Sequence, residues 1–261
     1  MQIIIPMSGT GSRFIKAGYD LPKFLIKIND QPMIQWVVKM FLDQNCNSND
    51  HFIFICRKEH QEQYNLSQIL KTIVKNCEVI TIENHKLGPV YAVSKAFDII
   101  DNNQPSIISY CDYFMSWDYK NFKKSVLENQ CDGSVPCYTN FHPHLLPIKN
   151  LYASCRIDDQ KNLCEIKEKF SFNSDKTKAY HSPGVYYFKN GDTLKKYFQM
   201  VLDCDLSLNG EFYVSLVYQL MLKDNLKISV YDKIDYFCQW GTPEDLADFL
   251  FWINLVKNFK S

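Results

Sequence analysis

The stretch Ile3-Ile4-Ile5-Pro6-Met7-Ser8-Gly9-Thr10-Gly11-Ser12-Arg13-Phe14 passes from three β-branched residues straight into glycines, hydroxyls and an arginine. Residues 3–6 read as a buried strand. In an open α/β sheet, ligands bind beyond the carboxyl ends of the strands, so the loop that follows is well placed. Glycines 9 and 11 let backbone approach a ligand closely and permit positive φ. Consecutive N–H groups form an anion-binding nest. Arg13 adds a bidentate donor and Lys23 a mobile point charge. Together these suit a triphosphate. The string is neither a Gly-Lys-Ser/Thr phosphate loop nor a three-glycine dinucleotide fingerprint. A plain glycine-bearing turn beside two surface cations is the alternative this stretch alone leaves open.

Working outward, apolar runs alternate with helical patterns. Strands are expected at 51–56, 79–82 and 106–110, with helices at 33–42, 59–74 and 89–99. This alternation predicts an α/β fold: a Rossmann-like, doubly wound, mixed but mostly parallel sheet with helices on both faces. After residue 130 the texture becomes β-rich, with runs at 132–137, 151–157, 163–168 and 180–188. Helices at 193–202 and 212–223, a strand at "KISVYD", and a closing helix at 243–259 follow, with Thr242 as its N-cap and Pro243 in its first turn. Segment 138–150 reads as a loop. No repeat or linker divides the chain, so one domain over 1–261 is expected, with a smaller β-rich region inserted.

The chain has 261 residues, with 29 Lys+Arg balanced by 29 Asp+Glu. Zero net charge argues against a general nucleic-acid or membrane binder. The opening apolar run is too short for a signal peptide or membrane span, so a cytoplasmic location is expected. The ten cysteines, Cys46 among them, include no Cys-x-x-Cys pair and read as free thiols in a reducing compartment.

The opening stretch, followed by Gly18-Tyr19, Pro22-Lys23 and Asp30-Gln31-Pro32-Met33-Ile34, resembles the sugar-phosphate nucleotidyltransferases, in the flavour associated with capsule and surface-glycan synthesis. Later stretches fit the same resemblance: Gly88-Pro89 opening a helix, Asp112 after "SIISY", Glu168-Lys169, Ser182-Pro183-Gly184 before a strand, Asn209-Gly210-Glu211, and Trp240-Gly241-Thr242. The resemblance implies transfer of a nucleoside monophosphate from an NTP to a small phosphorylated acceptor, with Mg²⁺ as cofactor. Pro6, Met7, Ser8, Gly9, Thr10, Gly11, Ser12 and Gly88 would hold the nucleotide. Arg13, Lys23 and Lys169 would carry the catalysis by neutralising phosphate charge, Arg13 at the leaving pyrophosphate and Lys169 at the acceptor phosphate. Glu168, Gly184, Glu211 and Gln239 would face the acceptor, and Asp112 would ligate the metal. Residues 1–130 would form the nucleotide half and 131–261 the acceptor half.

One departure stands out. Gln239 occupies the slot where many relatives carry a second metal aspartate. Glu211, or failing it Asp118, is the candidate replacement; otherwise Gln239 reads substrate. The mechanism requires no general base, so His142 and His144 read as loop residues, with His181 a candidate acceptor contact. Tyr180, Tyr186 and Tyr187 are candidate pocket walls. A sugar 1-phosphate is the default acceptor; a CTP-dependent enzyme for a non-sugar phosphate, an inactive nucleotide-binding regulator, and a glycosyltransferase lacking its Asp-x-Asp remain open. So does homo-oligomerisation.

Overall fold

A computed structural model describes residues 1–43, 48–148 and 150–259; Cys46 and residue 149 of the expected 138–150 loop lie outside them. In chain order the elements begin with β1 (Gln2–Pro6), α1 (Ser12–Lys16), a small pair β2 (Lys27–Ile28) and β3 (Gln31–Pro32), and α2 (Met33–Lys39). There follow β4 (His51–Arg57), α3 (Lys58–Tyr64), α4 (Leu66–Ile73), β5 (Cys77–Ile82), α5 (Gly88–Ser94), β6 (Ser106–Ser109), β7 (Tyr113–Trp117) and α6 (Tyr119–Glu128). The second half holds β8 (Gly133–Pro136), β9 (Ser154–Ile157), β10 (Leu163–Lys167), β11 (Tyr180–His181), β12 (Val185–Phe188), α7 (Gly191–Asp203), α8 (Val214–Lys223), β13 (Ile228–Tyr231), β14 (Ile234–Gln239) and α9 (Pro243–Phe259).

The central sheet has seven strands in the order β13-β8-β12-β6-β1-β4-β5. All neighbours run parallel except at β12, which is antiparallel to both β6 and β8. Strand alternation splits the core in two. Ile3 and Ile5 join one cluster with Val37, Leu66, Leu70 and Phe122, beneath α2, α4 and α6. Ile4 joins the other with Val93, Leu194, Phe198 and Val217, beneath α5, α7 and α8. The sheet is thus covered on both faces, as the alternation predicts. The inserted region is a three-stranded antiparallel sheet, β10-β9-β11, and β7 pairs with β14 in a separate ribbon.

Several expectations are corrected. The helix expected over 59–74 breaks at Asn65, whose φ of +49° turns the chain through the left-handed region. The strand expected over 180–188 is two strands, interrupted by Ser182-Pro183-Gly184. The helices expected to reach residues 42 and 99 end at Lys39 and Ser94. The closing helix starts as expected, with Thr242 Oγ1 accepting from the Asp245 N–H at 3.1 Å. Strands β7 and β14 and helix α6 are additions to the sequence reading.

Candidate active site

Two cavities open at the carboxyl ends of β1 and β6. The larger, about 640 Å³, is bordered by Pro6, Met7, Ser8, Gly9, Thr10 and Ser12 on one side and by Gly88 and Pro89 on the other. Gly11 borders neither cavity; its carbonyl accepts from the Phe14 and Ile15 N–H groups as α1 begins. The smaller cavity, about 360 Å³, is bordered by Arg13, Glu168, Lys169, Gly184, Gln239 and others. Tyr110, Asp112, Glu211 and Tyr213 border both, so the cavities meet at the end of β6. Of the residues assigned a role in phosphate, acceptor or metal binding, all but Gly11 border one cavity or both, and the Arg13 side chain lies on the smaller one rather than on that of its own loop.

At the junction Lys23 Nζ lies 2.6 Å from Asp112 Oδ2. Burial works to lower the Lys23 pKa, but the Asp112 carboxylate outweighs it and the ammonium is held above its ordinary value. Gln239 stands against Asp112. A Cβ on Gly241 would lie 2.5 Å from Gln239 Nε2 and 3.1 Å from Asp112 Oδ2, so both side chains converge over that glycine. The Trp240 N–H donates to the Asp112 carbonyl at 3.0 Å, carrying the pairing of β14 with β7 one step further, to Asp112. The neutral amide thus occupies the place expected of a second carboxylate. Asp118 does not replace it: it lies past the far end of β7 and caps α6, accepting from the Asn121 N–H at 2.9 Å. Glu211 borders both cavities.

Glu168 and Lys169 follow β10. Lys169 adopts φ +54°, a costly conformation for a residue with a side chain. Its Nζ donates to the Tyr213 hydroxyl at 2.7 Å. Ser215 Oγ donates to Glu168 Oε2 at 2.6 Å. Burial raises the Glu168 pKa to about 7, against the opposing pull of Ser215 and Lys169 and with help from the Glu211 charge. Two glycines are dictated by close approach. Gly88, at φ +84°, would push a Cβ to 2.9 Å from the Phe212 nitrogen, and Gly184, at φ +99°, to 2.8 Å from the Tyr110 ring.

His181 is not an acceptor contact. It is fully buried, bonds the Lys176 carbonyl through Nε2 at 2.9 Å, and borders neither cavity. His142 and His144 lie in the loop as expected, yet pack inward around Tyr138. Burial drives His144 down to about 3. Of the three tyrosines, only Tyr186 reaches a cavity; Tyr187 faces the opposite core and Tyr180 lies on the inserted sheet.

Two residues the sequence reading missed brace the first loop, one of them, His85, on the larger cavity itself. Arg57, at the end of β4, donates from Nε to the Ser8 carbonyl at 2.9 Å and is only 7% exposed. His85 Nε2 lies 3.0 Å from Ser8 Oγ. The only sequence signal for Arg57 was a cation at the carboxyl end of an apolar strand.

A glycine-bearing loop at the end of β1 and a lysine–aspartate pair where two cavities meet, on a mostly parallel sheet, suit a nucleotidyltransferase. The chain belongs to the MobA-like NTP transferase family, whose domain matches residues 3–168. No curated protein matches it. Among solved structures it is similar to a nucleoside-diphosphate-sugar pyrophosphorylase from Vibrio cholerae, at 17% identity and a TM-score of 0.74 over 95% of this chain and 99% of that one. It is also similar to the inositol-1-phosphate CTP transferase from T. maritima, at 15% identity and a TM-score of 0.68 over 94% of this chain and 90% of that one. A UDP-glucose pyrophosphorylase complexed with UDP-glucose gives 17% identity and a TM-score of 0.73 over 97% and 98%. These share its fold: a mostly parallel α/β sheet with small antiparallel additions.

Proposed function

We propose that the protein transfers a nucleoside monophosphate from an NTP to a sugar 1-phosphate, releasing pyrophosphate, in the service of surface-polysaccharide synthesis. The observation that carries the transfer is the meeting of the two cavities at Lys23 and Asp112. The sugar acceptor follows the names of similar structures, and the surface role follows the sequence flavour of the first loop. Residues 1–130 supply most of the nucleotide side and 131–261 most of the acceptor side. A cytoplasmic site suits a reaction that consumes NTP. No helix among the described residues is long and apolar enough to cross a membrane.

An oxygen of the acceptor phosphate attacks the α-phosphorus, and the bond from that phosphorus to the pyrophosphate oxygen breaks. The attacking oxygen is already ionised at neutral pH, so no side chain has to remove a proton. The chain's task is positioning and charge neutralisation. Backbone N–H groups of residues 8–12 would cradle the nucleotide phosphates. Lys23 would face the α-phosphate and Lys169 would draw in the acceptor phosphate, joined by Arg13, whose place on the smaller cavity favours that role over the pyrophosphate contact expected of it. Glu168, Glu211 and Gln239 would meet the acceptor's hydroxyls.

Among the described residues no group of three His, Cys, Asp or Glu side chains is placed to hold an ion. The donors at the junction are the Asp112 carboxylate and the Gln239 amide, hard oxygens that suit Mg²⁺ once phosphate oxygens complete its shell. Asp112 would hold it, and the ion would supply charge neutralisation to the phosphates. A matrix of the four common NTPs against phosphorylated acceptors, read by pyrophosphate release, tests the reading. Release with sugar 1-phosphates supports it. Release only with CTP and a non-sugar phosphate shifts the acceptor class. Tight nucleotide binding with no release anywhere favours a regulator, the reading that Gln239 would motivate.

A further inference from the structure

Ser8 and His85 are 77 residues apart in sequence, yet Ser8 Oγ and His85 Nε2 are separated by 3.0 Å. The other ring nitrogen fixes the direction of that bond. The Leu87 N–H donates to His85 Nδ1 at 3.2 Å. A backbone N–H is only a donor, so Nδ1 must present its lone pair. The neutral ring then carries its proton on Nε2 and donates it to Ser8 Oγ. Ser8, accepting there, keeps its own hydroxyl proton free. The same residue is pinned by its carbonyl to Arg57, and it borders the larger cavity.

The turn that carries His85 is fastened in its own right. The Leu87 carbonyl accepts from the Phe212 N–H at 2.9 Å, and the Phe212 carbonyl accepts from the Val90 N–H at 3.1 Å. Phe212 lies between Glu211 and Tyr213, which border both cavities. His85 also packs on Tyr91, with ring centroids 4.8 Å apart. One imidazole thus joins the loop after β1 to the wall on the opposite side of the larger cavity.

We propose that His85 is a positioning residue, which turns the Ser8 hydroxyl proton toward the nucleotide's phosphate oxygens and locks the first loop to the Gly88 turn. This rests on the nucleotidyl-transfer reading above. His85 itself borders the larger cavity, but its two ring nitrogens are engaged by Ser8 and by the Leu87 N–H, so it acts through Ser8. Its surroundings favour the neutral ring: burial, then the nearby Arg57 and Lys95 charges, hold its pKa below the ordinary histidine value.

Three substitutions separate its two contacts. His85→Gln keeps a donor for Ser8, His85→Asn keeps an acceptor for Leu87, and His85→Phe keeps only the packing on Tyr91. Kd for the best-bound common NTP is measured by calorimetry, with KM and kcat from pyrophosphate release. His85→Asn and His85→Phe should raise Kd and KM for the NTP about 10-fold, the scale of one hydrogen bond to a charged group. Under the proposal kcat moves far less, and His85→Gln recovers most of the loss. Ser8→Ala should match His85→Asn, and the double variant should be no worse than either alone. Wild-type Kd in both His85→Asn and His85→Phe, a His85→Gln as weak as His85→Phe, or additive losses in the double variant would each overturn the proposal. If His85→Phe does not fold, His85→Asn beside Ser8→Ala decides the matter. A wild type that binds no NTP would overturn the nucleotidyl-transfer reading instead.

Discussion

Replacing Glu168 by glutamine should make the protein more stable at neutral and alkaline pH, by an amount that grows with pH. A glutamate ionises near 4.5 in the unfolded chain, whereas burial raises Glu168 to about 7 in the fold. Between those values the unfolded chain has released a proton that the folded protein keeps. The unfolded state then binds fewer protons, so wild-type stability falls as pH rises from about 4.5 to 7 and is level beyond. The interval from 4.5 to about 7, at about 1.4 kcal/mol for each tenfold change in proton affinity, gives about 3 kcal/mol as an upper bound, because solvent still reaches part of the side chain. Glutamine mimics the protonated acid, still accepts from Ser215 Oγ, and has no charge to lose. The advantage of Glu168→Gln should therefore grow from at most about 1 kcal/mol at pH 5 toward a ceiling of about 3 kcal/mol at pH 8. Urea unfolding midpoints of the two proteins, measured across that range, check it, and groups common to both cancel. Parallel pH curves would refute the claim that the carboxyl is held protonated by burial.

Arg13→Ala should cost roughly 100-fold or more in turnover while leaving the melting temperature nearly unchanged, because the side chain is exposed; unchanged kcat would remove Arg13 from the phosphate site. Gly88→Ala should destabilise the fold by about 1–3 kcal/mol, since its φ of +84° and the Phe212 backbone 2.9 Å from the new Cβ oppose it together; thermal melts test this, and a neutral result would mean the turn yields freely. Gln239→Asp should keep turnover and lower the Mg²⁺ concentration giving half-maximal rate, by adding a carboxylate beside Asp112; an inactive variant would show that the amide reads substrate.

The parts of the fold legible in the sequence are those where burial is continuous. The runs at β1, β4 and β6 are almost wholly interior, and their composition shows it. Helix α6 was not legible because only Tyr119, Phe122 and Val126 face the core while lysines fill the positions between. Ribbon strand β7 follows Asp112 directly, so its aromatic residues gave no turn signal to set it apart. The same divide holds at the site. The role proposed for Pro6–Ser12 is a backbone one, and glycine and proline spacing advertises that. Arg57, His85 and Ser215 act on partners 49, 77 and 47 residues away. Such contacts are set by packing of distant segments, which no local pattern records. Asn65 broke a helix whose apolar period runs on past it, because one left-handed residue is enough to redirect the chain.

The reversed direction of β12 has a consequence for how the molecule could vary. The chain leaves the sheet at Pro136, the end of β8, and re-enters at Val185, the start of β12. Because the two strands are antiparallel, exit and re-entry fall at the same rim, the rim where both cavities open. Everything between, including β9, β10, β11, Glu168, Lys169 and Gly184, is an excursion that leaves and rejoins the sheet at neighbouring points and is held besides by β13 and α8, where the Val230 N–H donates to the Lys161 carbonyl and Ser215 to Glu168. Its length and shape are free of the register that holds β1, β4 and β6 together. An exchange of this excursion for one of different shape would alter what the smaller cavity accepts, and the loop after β1, anchored on the far strands, would keep its place.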